Sequence, residues 1–61
     1  MTKKVYYIEN SSRLDMALAM IADRFPCFLK RNFIEIDYSE ISIKARNEDI
    51  SKIEWILAPF M

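Results

Sequence analysis

The chain contains no glycine and no histidine, and only one cysteine and two prolines. Each absence removes chemistry. Without glycine there is no Walker loop, no dinucleotide fingerprint and no Gly-rich clamp on a nucleic-acid backbone. Without histidine the commonest general base and metal ligand is missing. A single Cys27 excludes an intramolecular disulfide and a cysteine-cluster metal site, and points to a reducing compartment. No apolar run approaches the ~20 residues that span a bilayer. The start, Met1-Thr2-Lys3-Lys4, turns polar again at Glu9-Asn10 and so lacks the apolar core of a signal peptide. Nine basic residues balance nine acidic ones, which argues against a general attraction to nucleic acid or an anionic membrane. The expectation is a cytoplasmic, soluble protein with no cofactor and no metal.

What is present is a globular composition, 52% hydrophobic and 30% charged over 61 residues, with no repeat or linker: one domain, residues 1–61. A chain this short removes roughly 3,500 Å² of apolar surface from water, about 90 kcal/mol at ~25 cal/mol/Å². Ordering it costs about 90 kcal/mol. A near balance invites a partner.

Five elements can be read. Lys3 to Glu9 is β-branched and aromatic, as strands are. Ser11-Ser12-Arg13-Leu14-Asp15 opens a helix, with Ser12 as cap and Asp15 three residues on. Leu14, Ala17, Leu18, Ile21, Ala22 and Phe25 recur at helical spacing, and Pro26 ends the helix at Phe25. From Phe33 onward, Ile34, Ile36 and Tyr38 alternate with Phe33, Glu35 and Asp37. In the next run Ile41, Ile43 and Ala45 alternate with Ser42, Lys44 and Arg46. A turn over Asp37 to Glu40 would pair Ile36 with Ile41 and Ile34 with Ile43. Asn47 caps a second helix with Glu48 and Asp49 in its first turn. Its inner stripe is Ile50, Ile53, Leu57 and Phe60, with Ile56 on the flank. Positive φ, with no glycine to take it, should fall to Asn10, Asn32 and Asn47, which lie at these boundaries.

The order is β-α-β-β-α, an α+β fold. Right-handed crossover and hairpin adjacency predict a three-stranded antiparallel sheet of order 1-3-2 with both helices on one face. This resembles a ferredoxin-like βαββαβ unit lacking its last strand, a likeness of fold that carries no function. It leaves the outer side of the first strand unpaired. Lys3 and Lys4 protect only its beginning, while Val5, Tyr6, Tyr7 and Ile8 are apolar on both faces. That edge is the candidate for self-association.

Further candidates come with plainer readings. The open sheet face should carry Phe33, Glu35, Asp37, Ser42, Lys44 and Arg46, with either Lys4, Tyr6 and Ile8 or Val5, Tyr7 and Glu9. Aromatic rings beside basic groups can stack single-stranded nucleic acid, here on Tyr6 or Tyr7, Phe33, Lys44 and Arg46. Glu35 and Asp37 would repel phosphate, and the plainer reading is Glu35 paired with Lys44 and the rings buried in a dimer. Trp55 falls off the core face, as a binding hot spot or folded over the sheet edge or the tail. Met16 and Met20 lie one turn apart, as an adaptable partner surface or the margin of the core stripe. Lys30-Arg31 reads as a solvated turn and Cys27 as a buried inert thiol, with no base to activate it. Asp15 with Asp23, and Glu35 with Asp37, sit in no foreseeable cleft.

The function these features favour is a small non-enzymatic protein-interaction module that forms a homodimer or binds another protein. Its size suits an accessory, adaptor or inhibitor of a phage or mobile element. The alternative is a single-stranded nucleic-acid-binding protein using the open sheet face.

Overall fold

A computed structural model describes all 61 residues. Strand β1 (Thr2–Glu9) leads into helix α1 (Ser12–Arg24). Strands β2 (Cys27–Phe33) and β3 (Tyr38–Ala45) follow, then helix α2 (Asn47–Leu57) and a 3-10 turn over Ala58–Phe60. The sheet is antiparallel in the order β1-β3-β2, as the chain order implied. Both helices cover one face. Ile8, Ile41, Ile43 and Ala45 from the sheet meet Leu14, Leu18 and Ile21 of α1 and Ile50, Ile53 and Leu57 of α2 in a single core. The predicted stripes therefore face the core, with Phe25, Ile56 and Phe60 half-buried at its margin and Ala22 exposed.

The second strand lies elsewhere than expected. It runs from Cys27 to Phe33, so Leu29 opposes Ile43, Arg31 opposes Ile41 and Phe33 opposes Ser39. Ile34 and Ile36, assigned above to the buried face, are 50% and 96% exposed in the loop before β3. The reason is ladder length. A turn over residues 37–40 leaves only Phe33 to Ile36 to pair with the next strand. The observed register pairs all seven residues of β2, and each pairing satisfies backbone groups that would otherwise be orphaned. The loop is closed by Ile34 and Glu35, whose N–H groups both donate to the Tyr38 carbonyl at 3.2 and 3.3 Å.

Two capping assignments also change. Ser11, not Ser12, caps α1, its Oγ accepting from the Leu14 N–H at 3.0 Å. Arg46 precedes α2 without a side-chain cap, its carbonyl accepting from Asp49 and Ile50. Asn47 instead accepts from the Thr2 hydroxyl. No residue has positive φ, so the asparagines do not carry left-handed turns. Both helices are entered from extended residues, Ser11 and Arg46, and α1 leaves through extended Phe25. No connection has to reverse through the left-handed region, and Asn32 lies inside β2.

Candidate interaction surfaces

Alternation along each strand sorts the side chains into two sets. The helix side takes Tyr6 and Ile8, Ser39, Ile41, Ile43 and Ala45, and Cys27, Leu29, Arg31 and Phe33. The open side takes Lys3, Val5, Tyr7 and Glu9, Tyr38, Glu40, Ser42 and Lys44, and Phe28, Lys30 and Asn32. The expected grouping on the open face is thereby corrected. Of Tyr6, Phe33, Lys44 and Arg46, only Lys44 lies there. Tyr6 packs against the core and donates its hydroxyl to Glu54 Oε2 at 3.1 Å. Burial first, and the Glu54 carboxylate second, push its phenol up to about 12. Phe33 sits on the other face beneath the Arg31 guanidinium, 4.5 Å from its ring centre. Arg46 stands at the start of α2, its Nε donating to the buried Asp49 carboxylate at 3.0 Å. Glu35 and Asp37 are in the loop, so Glu35 does not pair with Lys44.

Arg31 departs furthest from its expected place. Read as half of a solvated basic pair, it lies on the covered face with 18% of its side chain exposed. Its Nη1 donates to Asp15 Oδ1 at 2.5 Å, its Nη2 to Asn10 Oδ1 at 3.0 Å and its Nε to Ser39 Oγ at 3.1 Å. Ser39, fully buried, donates in turn to Asn10. One guanidinium fork thus ties β2 to β3, to the β1–α1 junction and to the first turn of α1, geometry that a lysine cannot reproduce. Only the alternation of Cys27, Leu29, Arg31 and Phe33 hinted at this. Lys30, its neighbour, faces the open side.

The β1 edge keeps the features that singled it out. β1 pairs with β3 alone, and no segment of the chain lies along its outer side. Val5 and Tyr7 are 45% and 64% exposed on the open face, while Tyr6 and Ile8 turn toward the helices. Met16 and Met20 border an open apolar groove of about 520 Å³ between the helices, shared with Ile56, Pro59 and Phe60. Met16 is exposed and Met20 half-buried. Trp55 is not folded onto the sheet edge; it is 80% exposed beside Ser51, Glu54, Ala58 and Met61. Cys27 is half-buried, and burial, with Asp49 nearby, raises its thiol above the ordinary value, which disfavours the reactive thiolate. A further apolar cluster, Ile34, Ile36 and Tyr38, stands exposed at the β2–β3 loop. The alternating pattern of the sequence places the two isoleucines on the core face instead.

No helix is long and apolar enough to cross a membrane. Comparison of the chain with protein-family models, curated proteins and solved structures returned no match.

Proposed function

We propose that this chain is a small non-enzymatic interaction module that acts by binding protein, in the first instance a second copy of itself, through the outer edge of β1. The observation that carries the reading is an unpaired strand edge with no charge from Val5 to Ile8. Unprotected edges of this kind template pairing with another strand.

Charge complementarity supports the second copy as occupant. Edge-to-edge pairing about a two-fold axis sets residues of the same face opposite one another, so the numbers in each opposed pair have an even sum. Centred on Tyr6, the pairing places Val5 against Tyr7 and Lys3 of each copy against Glu9 of the other. Centred on Val5 it sets Lys3 against Tyr7, and centred on Tyr7 it sets Glu9 against Val5, leaving the charges unanswered. Opposite charges across a ladder stabilise it by about 0.2–1 kcal/mol per pair.

Once the edge is occupied, Trp55 and the Met16–Met20 groove remain available to a different protein. A single cysteine with no partner for a disulfide suits a reducing cytoplasm, and the chain's size an accessory or inhibitory role in a phage or mobile element.

Light scattering tests the reading. The expected mass is twice the 7.3 kDa of one chain. Val5→Lys with Tyr7→Lys, both at exposed positions, sets lysine against lysine across the two-fold and should give the monomer with an unchanged circular dichroism spectrum. Lys3→Glu should weaken pairing, and Lys3→Glu with Glu9→Lys should restore it. A monomer at every soluble concentration of the unsubstituted protein sinks the proposal.

A further inference from the structure

We propose that the open face of the sheet is a binding site for single-stranded nucleic acid, with a base stacked on Phe28 and backbone phosphates held by Lys30 and Lys44. It is separate from the edge and does not depend on pairing there.

The ladder places these groups together. Lys3, Lys44 and Phe28 form one row across the three strands, and Val5, Ser42 and Lys30 form the next. Lys44 therefore has a lysine directly opposite on β1 and another diagonally across on β2. Like charges so placed destabilise a sheet, and none of the three lysines has a carboxylate within 4.0 Å. The nearest carboxylate on this face, Glu40, stands diagonally across from Lys30 and forms no ion pair with it. Both oxygens of Glu40 are engaged along their own row, one by the Tyr7 hydroxyl at 3.2 Å and the other by Asn32 Nδ2 at 3.4 Å. Self-pairing at β1 would offer Glu9 to Lys3 only. Lys30 and Lys44 stand on β2 and β3, away from that edge, and stay unanswered.

The chain is neutral as a whole, yet its charge on this face is segregated by position. Lys3, Lys30 and Lys44 surround an open depression of about 540 Å³ with Ser42 among its lining. Glu9 and Glu40 lie toward the opposite end of the strands. Phe28 stands among the cations with 70% of its surface exposed. An anion alone would recognise the lysines. A ring left in water between them selects a ligand that also has an apolar face, and an unpaired base attached to phosphate has both. Side chains two apart on a strand are about 7 Å apart and neighbouring strands about 4.8 Å, so Phe28, Lys30 and Lys44 all fall within reach of one or two nucleotides. The carboxylates of Glu35 and Asp37, which would have repelled phosphate from this surface, are in the loop instead.

Fluorescence anisotropy with a labelled oligothymidylate of about 12 nucleotides, within the range one small fold covers, tests the site. Binding should weaken with salt. Lys30→Gln with Lys44→Gln should flatten the log–log salt slope by about 1.4, two phosphate contacts at about 0.7 each. Phe28→Ala should bind about tenfold more weakly with its slope unchanged. All three residues are exposed, so circular dichroism and the light-scattering mass should match the unsubstituted protein. The proposal is overturned by no anisotropy change at low salt, or by Phe28→Ala binding as tightly as the original. Equal binding of a duplex, or equal competition by polyglutamate or anionic vesicles, overturns it too, since bare charge then suffices.

Discussion

Tyr6 and Tyr7 are adjacent in the chain and live in different solvents. Tyr7 reaches across the open face to Glu40, while Tyr6 lies partly buried with its hydroxyl on Glu54. Because burial and the Glu54 carboxylate both disfavour the phenolate, Tyr6 keeps its proton to about pH 12, against 10 for a free phenol. Between those values the unfolded chain has released a proton that the fold still holds, so stability should fall as pH rises from 10 to 12 and be unaffected by this group below 10. Urea midpoints measured on either side of the window should show the drop, and Tyr6→Phe should reduce it. Lys30 and Arg31 make the same contrast in cations, one on the open face and one clamped under α1. Alternation along the sequence separates Tyr6 from Tyr7 without saying which of them faces the helices, whereas Lys30-Arg31 reads as a solvated turn because its strand is not legible there.

At the level of elements, the cap of α1 separates two adjacent serines. Ser11 accepts the Leu14 N–H, so Ser11→Ala should cost about 1 kcal/mol in urea unfolding while Ser12→Ala costs close to nothing. The reverse order would place the cap at Ser12. The helices, the first strand and the strand order were legible because apolar spacing, Pro26 and crossover handedness are local or topological signals. β2 was not. Its covered face includes Arg31, whose charge is satisfied by Asn10, Asp15 and Ser39, residues eight to twenty-one positions away in the chain. Locally the segment has a charge where a strand should have an apolar side chain, so the isoleucines further on made the more plausible strand. The candidate sites followed the same division. That β1 has a free edge follows from strand order alone; the membership of the open face depends on the β2–β3 register, which the sequence does not show.

The whole molecule exposes 4306 Å², close to the ~4,200 Å² expected of a folded chain of this mass. It is compact for its size, and its core is still small, with eleven buried apolar residues. Domains of this length are worth about 3–9 kcal/mol. Ile43 is fully buried in the middle strand, opposite Lys4 on β1 and Leu29 on β2. Ile43→Ala should remove about 2–5 kcal/mol and leave a substantial unfolded fraction, whereas Ile43→Val should cost about 1 and stay folded, as read by near-ultraviolet circular dichroism. The absence of any positive-φ residue bears on how freely such a chain can change. Every connection is drawn in conformations open to ordinary L-amino acids, so no turn is reserved for one residue type. The β2–β3 loop is held through its own carbonyls, the Asn10 backbone N–H donating to Asp37 and the Asn10 side-chain amide to Ile36. Its side chains at 34–37 are free to vary without rebuilding the path of the chain. The protein is thus a scaffold on which new recognition sequences can be tried at little conformational penalty.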